Sequence, residues 1–264
     1  MTLIVSLRIP DGIVIAGDSL ATMIQQARYQ AEVEVDCPHC EQQHKAYVPI
    51  EIPAPGATLS YAQKVFPFQG RYGIGTHGVG MLVGKSIYFA IRQFEVVGDF
   101  EPPASVEEAA RLLANYMHNL LKSQVEHDGG NLSDFPSNWS PLGFQVVGYR
   151  DDQPVTVLVN IGRDISISAE DTLGCTVSGQ FELVQAIWGT YDKDSSQKPP
   201  YHLFSLQDAI AYAEFLIGTT AQHQRFSSRA PSVGGDIDVA LVTPFNGFQW
   251  IRQKEIGRIL EGAT

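Results

Sequence analysis

Thr2-Leu3-Ile4-Val5-Ser6-Leu7-Arg8-Ile9-Pro10-Asp11-Gly12-Ile13-Val14-Ile15-Ala16-Gly17-Asp18-Ser19-Leu20-Ala21-Thr22 follows directly on Met1. Two apolar runs, 3–8 and 13–16, flank the turn residues Pro10-Asp11-Gly12, so the stretch predicts a β-hairpin. Pairing brings the end of the second strand beside the start of the first and sets Asp18 near Thr2. A residue as small as Thr2 permits removal of the initiator methionine, which leaves an α-amine beside its own hydroxyl. A lone hydroxyl is a poor nucleophile at neutral pH, whereas an α-amine titrates at roughly 7.7–8.0 and can act as its general base. Without that chemistry, Thr2 reads as the frayed start of an edge strand and Asp18 as a turn former. A lysine between the two would lower the amine's pKa and be held protonated by the carboxylate. Lys64, in Gln63-Lys64-Val65-Phe66-Pro67, is the candidate; its plainer reading is a surface lysine.

Outward from this hairpin, residues 23–61 turn polar and irregular. Two short strands, 28–35 and 45–52, flank Cys37-Pro38-His39-Cys40, and Pro53, Pro55 and Gly56 end the excursion. Strand signals follow at 71–76, 142–149, 155–160, 165–168 and 173–177, and a final hairpin pairs 236–243 with 248–252. Helical spacing runs over 81–97, after the capping box Ser105/Glu108, after Gly179, and after the box opened by Ser205. Strands, two helices, strands, two helices, strands: with no βαβ alternation, this order predicts an α+β protein with two antiparallel sheets between helix layers. The expected organisation is a single domain over 1–264 with an insertion at about 23–62.

The 264 residues are 44% hydrophobic and 18% charged, ordinary values for a folded enzyme. The formal charge of -11 argues against nucleic acid and anionic membrane surfaces, which need a basic face. No apolar run reaches transmembrane length, and the first residues lack the basic start and cleavage site of a signal peptide. Three cysteines make no disulfide framework. A reduced, cytoplasmic protein is the expectation.

Thr2 with Ile4-Val5-Ser6, then Val14-Ile15-Ala16-Gly17-Asp18-Ser19 and Ala21-Thr22, resembles the start of proteasome β-type subunits. The resemblance is nearest to the peptidase subunit of the bacterial ATP-dependent two-component protease. It implies an N-terminal-nucleophile (Ntn) hydrolase with a four-layer αββα sandwich, acting on polypeptide substrates within a homo-oligomeric ring, beside an ATPase unfoldase and with no catalytic cofactor. It further implies Thr2 as nucleophile, Asp18 and Lys64 as its supporting pair, and the Gly78 amide as oxyanion donor. Ser178 would lie near the nucleophile's amine and Thr22 along the substrate strand. The chain departs from that family's pattern in three places. Asp18 and Lys64 stand 46 residues apart, Ala230 and Val233 replace an Asp and a Ser before Gly234-Gly235, and Leu20 follows the Asp-Ser pair. A catalytically silent scaffold of the same fold is the rival reading.

Two further patterns carry chemistry. Cys37 and Cys40 with His44 offer three of the four ligands of a structural zinc site; a degenerate knuckle with reduced thiols is the alternative. Gly73-Ile74-Gly75-Thr76-His77-Gly78 matches a dinucleotide loop formally, but glycines needed for a tight chain passage explain it equally well.

Overall fold

The computed structural model describes residues 2–36, 43–98, 100–228 and 230–254. The chain divides into two units, Thr22–Leu59 and the combined segments Met1–Ala21 and Ser60–Thr264. Its first half holds β1 (Leu3–Ile9), β2 (Gly12–Asp18), β3 (Ala21–Asp36), β4 (Gln43–Leu59), β5 (Val65–Phe68), β6 (Tyr72–Gly78), β7 (Met81–Leu82), β8 (Lys85–Ser86), α1 (Ile87–Val97) and α2 (Val106–His127). Its second half holds β9 (Leu142–Arg150), β10 (Gln153–Ile161), β11 (Ile165–Glu170), β12 (Gly174–Gly179), α3 (Glu182–Lys193), α4 (Leu206–Arg225), β13 (Ile237–Thr243) and β14 (Gly247–Arg252).

The larger unit is a mixed α/β structure built on two five-stranded antiparallel sheets, ordered β12-β1-β2-β13-β14 and β11-β10-β9-β6-β5. Ile9 faces Gly12, so Pro10 and Asp11 alone make the turn of the first hairpin. Leu3, Val5, Leu7 and Ile9 pack with Ala209, Ala213 and Leu216 of α4 and Val184 of α3. Ile4, on the opposite face, joins Ile13, Ile15, Ala240 and Val242 against Val65 and Val147 of the second sheet. β1 is thus buried on both faces, which is why it reads as a continuous apolar run, with each large aliphatic side chain contributing roughly 1.5–3 kcal/mol. The far face of the second sheet, through Phe144, Val146, Val155 and Val157, packs on a stripe of α2 formed by Ala109, Leu113, Met117 and Leu121.

The glycines of β6 have their reason here. A Cβ on Gly75 would stand 2.4 Å from Ile4 Cγ2, and one on Gly73 would press on Val147 and Ile15. The Gly-x-Gly pattern serves close approach between the sheets, not a phosphate or a turn.

Several element boundaries differ from the sequence expectation. The helix expected from 81 begins at Ile87, after the small β7–β8 ladder, because the Ser86 side chain caps Phe89 N and the preceding Val83 and Gly84 take positive φ. Val65–Phe68, for which no strand was expected, pairs antiparallel with β6 at a sheet edge, where Pro67 is tolerated. The box at α2 is half formed: Ser105 caps Glu108 N, while the Glu108 carboxylate turns to Ala104 N. At α4 the box is complete, with Asp208 standing as its acidic member.

The smaller unit is the two-stranded sheet β3–β4. β4 runs through Pro53 and Pro55 to Leu59, since both strands of so small a sheet have a free edge. Arg28–Glu51 and Lys45–Glu32 ion pairs cross it, each at 2.6 Å.

Candidate active site

Asp18 closes β2 with its side chain fully buried, and backbone donors converge on it. Oδ1 accepts from Leu3 N and Lys64 Nζ, both at 3.0 Å. Oδ2 accepts from Lys64 Nζ at 3.0 Å, Gly234 N at 3.0 Å and Leu20 N at 3.1 Å. Lys64 is 5% exposed and donates also to Leu20 O. Its own carbonyl takes Thr76 N at 2.8 Å, which ties it to β6. Burial is the largest influence on both groups. It pushes the Asp18 carboxyl up and the Lys64 ammonium down, each opposed by the other's charge.

Thr2 sits at the head of β1 and is 4% exposed. Its carbonyl accepts from Gln180 N at 2.7 Å, just past β12. Gly179 makes that contact feasible: it has φ +90°, and a Cβ there would lie 1.8 Å from Thr2 O. Ser178 faces Ile4 across the β1–β12 ladder and is buried, its hydroxyl taking Gln145 Nε2 at 2.9 Å from the second sheet. The His77 Cβ comes within 3.5 Å of the same Gly179 position, so the end of β6 reaches the head of β1. Burial lowers the His77 imidazole to about 4, and it stays neutral at pH 7. Gly78, next along, has φ +97° and is exposed, with Pro141 O too close for any Cβ.

Thr2, Asp18, Lys64 and the Ser178–Gln180 turn are therefore one constellation, with Gly78 following His77 at its edge. Thr22 begins the smaller unit on β3, half-buried. Of the zinc candidates, Cys37 and Cys40 lie outside the described residues, and His44 is exposed on β4. Among the described residues no group of three or more His, Cys, Asp or Glu side chains is arranged to hold a metal.

No family model matches the sequence, and no curated protein is similar to it. Solved structures do match. The Gly-1 mutant of Anbu from Hyphomicrobium sp. strain MC1 aligns with a TM-score of 0.54 at 12% identity, over 96% of this chain and 86% of that one. Anbu from Yersinia bercovieri, the ancestral beta-subunit, aligns at 0.52 and 14% identity, over 96% and 87%. The chain has an Anbu-like fold. The likeness is one of fold, and it corrects the resemblance drawn from the first 22 residues. Anbu is a different family from the proteasome β-type subunits and the two-component protease. Residues 2–22 encode a hairpin and its terminal carboxylate, which are too little to separate one family from another.

Within the Anbu-like fold, sequence reasoning missed a second buried ion pair. Lys254 Nζ contacts Asp238 Oδ2, Lys254 N donates to Asp238 Oδ1 at 2.8 Å, and both residues are buried. Lys254 Nζ also lies 3.5 Å from Ser19 Oγ, and its charge adds to the lowering of Lys64. Asp238 faces Gly17 in the β2–β13 ladder, so the signal was there only in register. The supporting amide of Gly234 comes from a loop held by Gln224, whose Oε1 accepts from Ser232 N and Val233 N.

Proposed function

We propose that this chain is an Ntn hydrolase that cleaves peptide bonds with Thr2 after loss of Met1, its two sheets stacked as the inner layers of an αββα sandwich. One observation carries the reading: a single oxygen, Asp18 Oδ1, accepts from both the Leu3 amide and the Lys64 ammonium. That bridge supports a role for the Lys64 charge near the residue that would start the processed chain, where it would favour a neutral α-amine over a charged one.

In the proposed mechanism the Thr2 hydroxyl attacks the substrate carbonyl while the α-amine takes its proton. The Gly78 amide stabilises the oxyanion, and Ser178 holds the amine's surroundings polar. The C–N bond breaks as the proton passes to the leaving amine, and water then hydrolyses the Thr2 ester. Thr22 would lie along the bound peptide. A homo-oligomeric ring, an ATPase unfoldase and a cytoplasmic setting belong to the same proposal; the description of the Yersinia protein as a beta-subunit supports assembly. No described helix is long and apolar enough to cross a membrane. A structural zinc on Cys37, Cys40 and His44 would brace the smaller unit, and metal analysis of the purified protein tests it.

The silent-scaffold reading draws on Val233, which packs into the apolar cluster beneath β1 where a polar residue was expected. The two readings part on intact mass and labelling. The hydrolase reading expects loss of one methionine mass, together with a covalent adduct from a threonine-directed epoxyketone or β-lactone that Thr2→Ala abolishes. Retained methionine, or an adduct that persists in Thr2→Ala, overturns it.

A further inference from the structure

Arg8 occupies the opposite end of β1 from Thr2, six residues along and so about 20 Å away. It is 2% exposed. Nε donates to Thr172 O at 2.7 Å, and Nη1 donates to Thr156 Oγ1 and Thr176 Oγ1, both at 2.8 Å. All three acceptors are neutral. Among the described residues Nη2 has no hydrogen-bond partner, and no carboxylate lies within 4.0 Å of the guanidinium. Glu170 and Asp171 act on it only at longer range, and Asp171 is held by Arg150 at 2.8 Å. A buried guanidinium stays charged, and leaving such a charge without a counter-ion is costly. The site is short of one anionic oxygen.

Arg8 lines a cavity of about 750 Å³, within the size range of small-molecule sites. Trp188, Tyr191 and Tyr201 form an aromatic wall, with Lys198 exposed at the rim. The wall is braced from behind by Tyr212, whose hydroxyl meets Trp188 Nε1 at 3.4 Å and the Tyr191 hydroxyl at 3.2 Å. Burial raises both the Tyr201 phenol and the Cys175 thiol, so neither supplies a competing negative charge at neutral pH. Glu170 also lines the cavity and works against a ligand with a second negative charge. Because Nε and Nη1 are engaged, the bidentate fork that suits phosphate is not on offer. We propose that this cavity binds a small aromatic monocarboxylate, one carboxylate oxygen on Arg8 Nη2 and the ring against Trp188 and Tyr201. The proposal is independent of the hydrolase reading, and Thr2→Ala should bind the ligand as the parent chain does.

The test is titration of the full chain with benzoate, phenylpyruvate and indole-3-acetate, each beside its neutral amide, followed by calorimetry and ligand-observed NMR. At least one acid should bind with Kd below about 1 mM, and its amide about tenfold more weakly. Arg8→Gln should erase the preference for acid over amide. Lys198→Glu, on the exposed rim, should weaken the acid and spare the amide, and it serves if Arg8→Gln does not fold. No binding by any acid, equal binding of acid and amide, indifference to these substitutions, or displacement of the acid by an equal concentration of inorganic phosphate would each overturn the assignment.

Discussion

Asp18 collects the Leu3, Leu20 and Gly234 amides together with the Lys64 ammonium in a place that water does not reach. Removing its charge strands Lys64. Asp18→Asn should therefore cost about 3–5 kcal/mol of stability, read as a fall in urea midpoint; a loss below 1 kcal/mol, on the order of a surface pair, would refute the coupling. His77 gives a pH signature. Its imidazole titrates at about 4 in the folded chain against 6.5 when exposed. Between those values the unfolded state binds more protons, so this residue's contribution is present above pH 6.5 and lost as pH falls toward 4. Urea midpoints for His77→Gln should accordingly drop less than those of the parent chain from pH 7 to pH 4.5, and parallel slopes would refute this. Asp18 was legible because hairpin register fixes which residue ends beside the chain's head. Lys254 was not, since its partner Asp238 is aligned with Gly17 only by the β2–β13 ladder. Arg8 was equally hidden, a charge within an apolar strand that local pattern cannot place in the interior.

Elements position the head of β1 through one backbone contact. Gly179 lies so close to Thr2 O that any side chain there displaces either β12 or the chain's start, and its φ of +90° adds strain for an L-residue. Under the proposed hydrolase reading, Gly179→Ala should reduce inhibitor labelling by at least tenfold, with the rest of the fold intact by circular dichroism; unchanged labelling would show that this contact does not set the geometry. At this scale the hairpins and the capped starts of α2 and α4 were readable, because turn and cap chemistry is local. The start of α1 was not. Met81 and Leu82 continue a helical spacing, but Val83 and Gly84 adopt positive φ and the chain makes a small ladder first. The glycines of β6 misled for a related reason: their purpose is the approach of Ile4 from the other sheet, and a sequence does not display its neighbours across a layer.

For the whole molecule, the segment Thr22–Leu59 leaves and rejoins the larger unit at adjacent points, as Ala62 N donates to Ser19 O at 2.9 Å. Replacing 22–59 by a short Gly-Ser linker should leave a cooperatively unfolding protein with its thermal midpoint within about 4 °C of the parent, measured by calorimetry; a broad or absent transition would refute independence of the two units. The mixed make-up with antiparallel sheets was legible from the succession of strands and helices, whereas the family was not, because one hairpin and its terminal carboxylate are too little to separate families. The pairing of Leu3 with Gly179 also has a consequence for how the molecule is made. During synthesis the first strand must wait for just over two-thirds of the 264-residue sequence before its edge partner is complete, and longer still for Gly234 to close over the carboxylate. Under the proposed hydrolase reading, the nucleophile therefore stays unassembled while the chain is on the ribosome, and neither the chain nor its neighbours can be cut there.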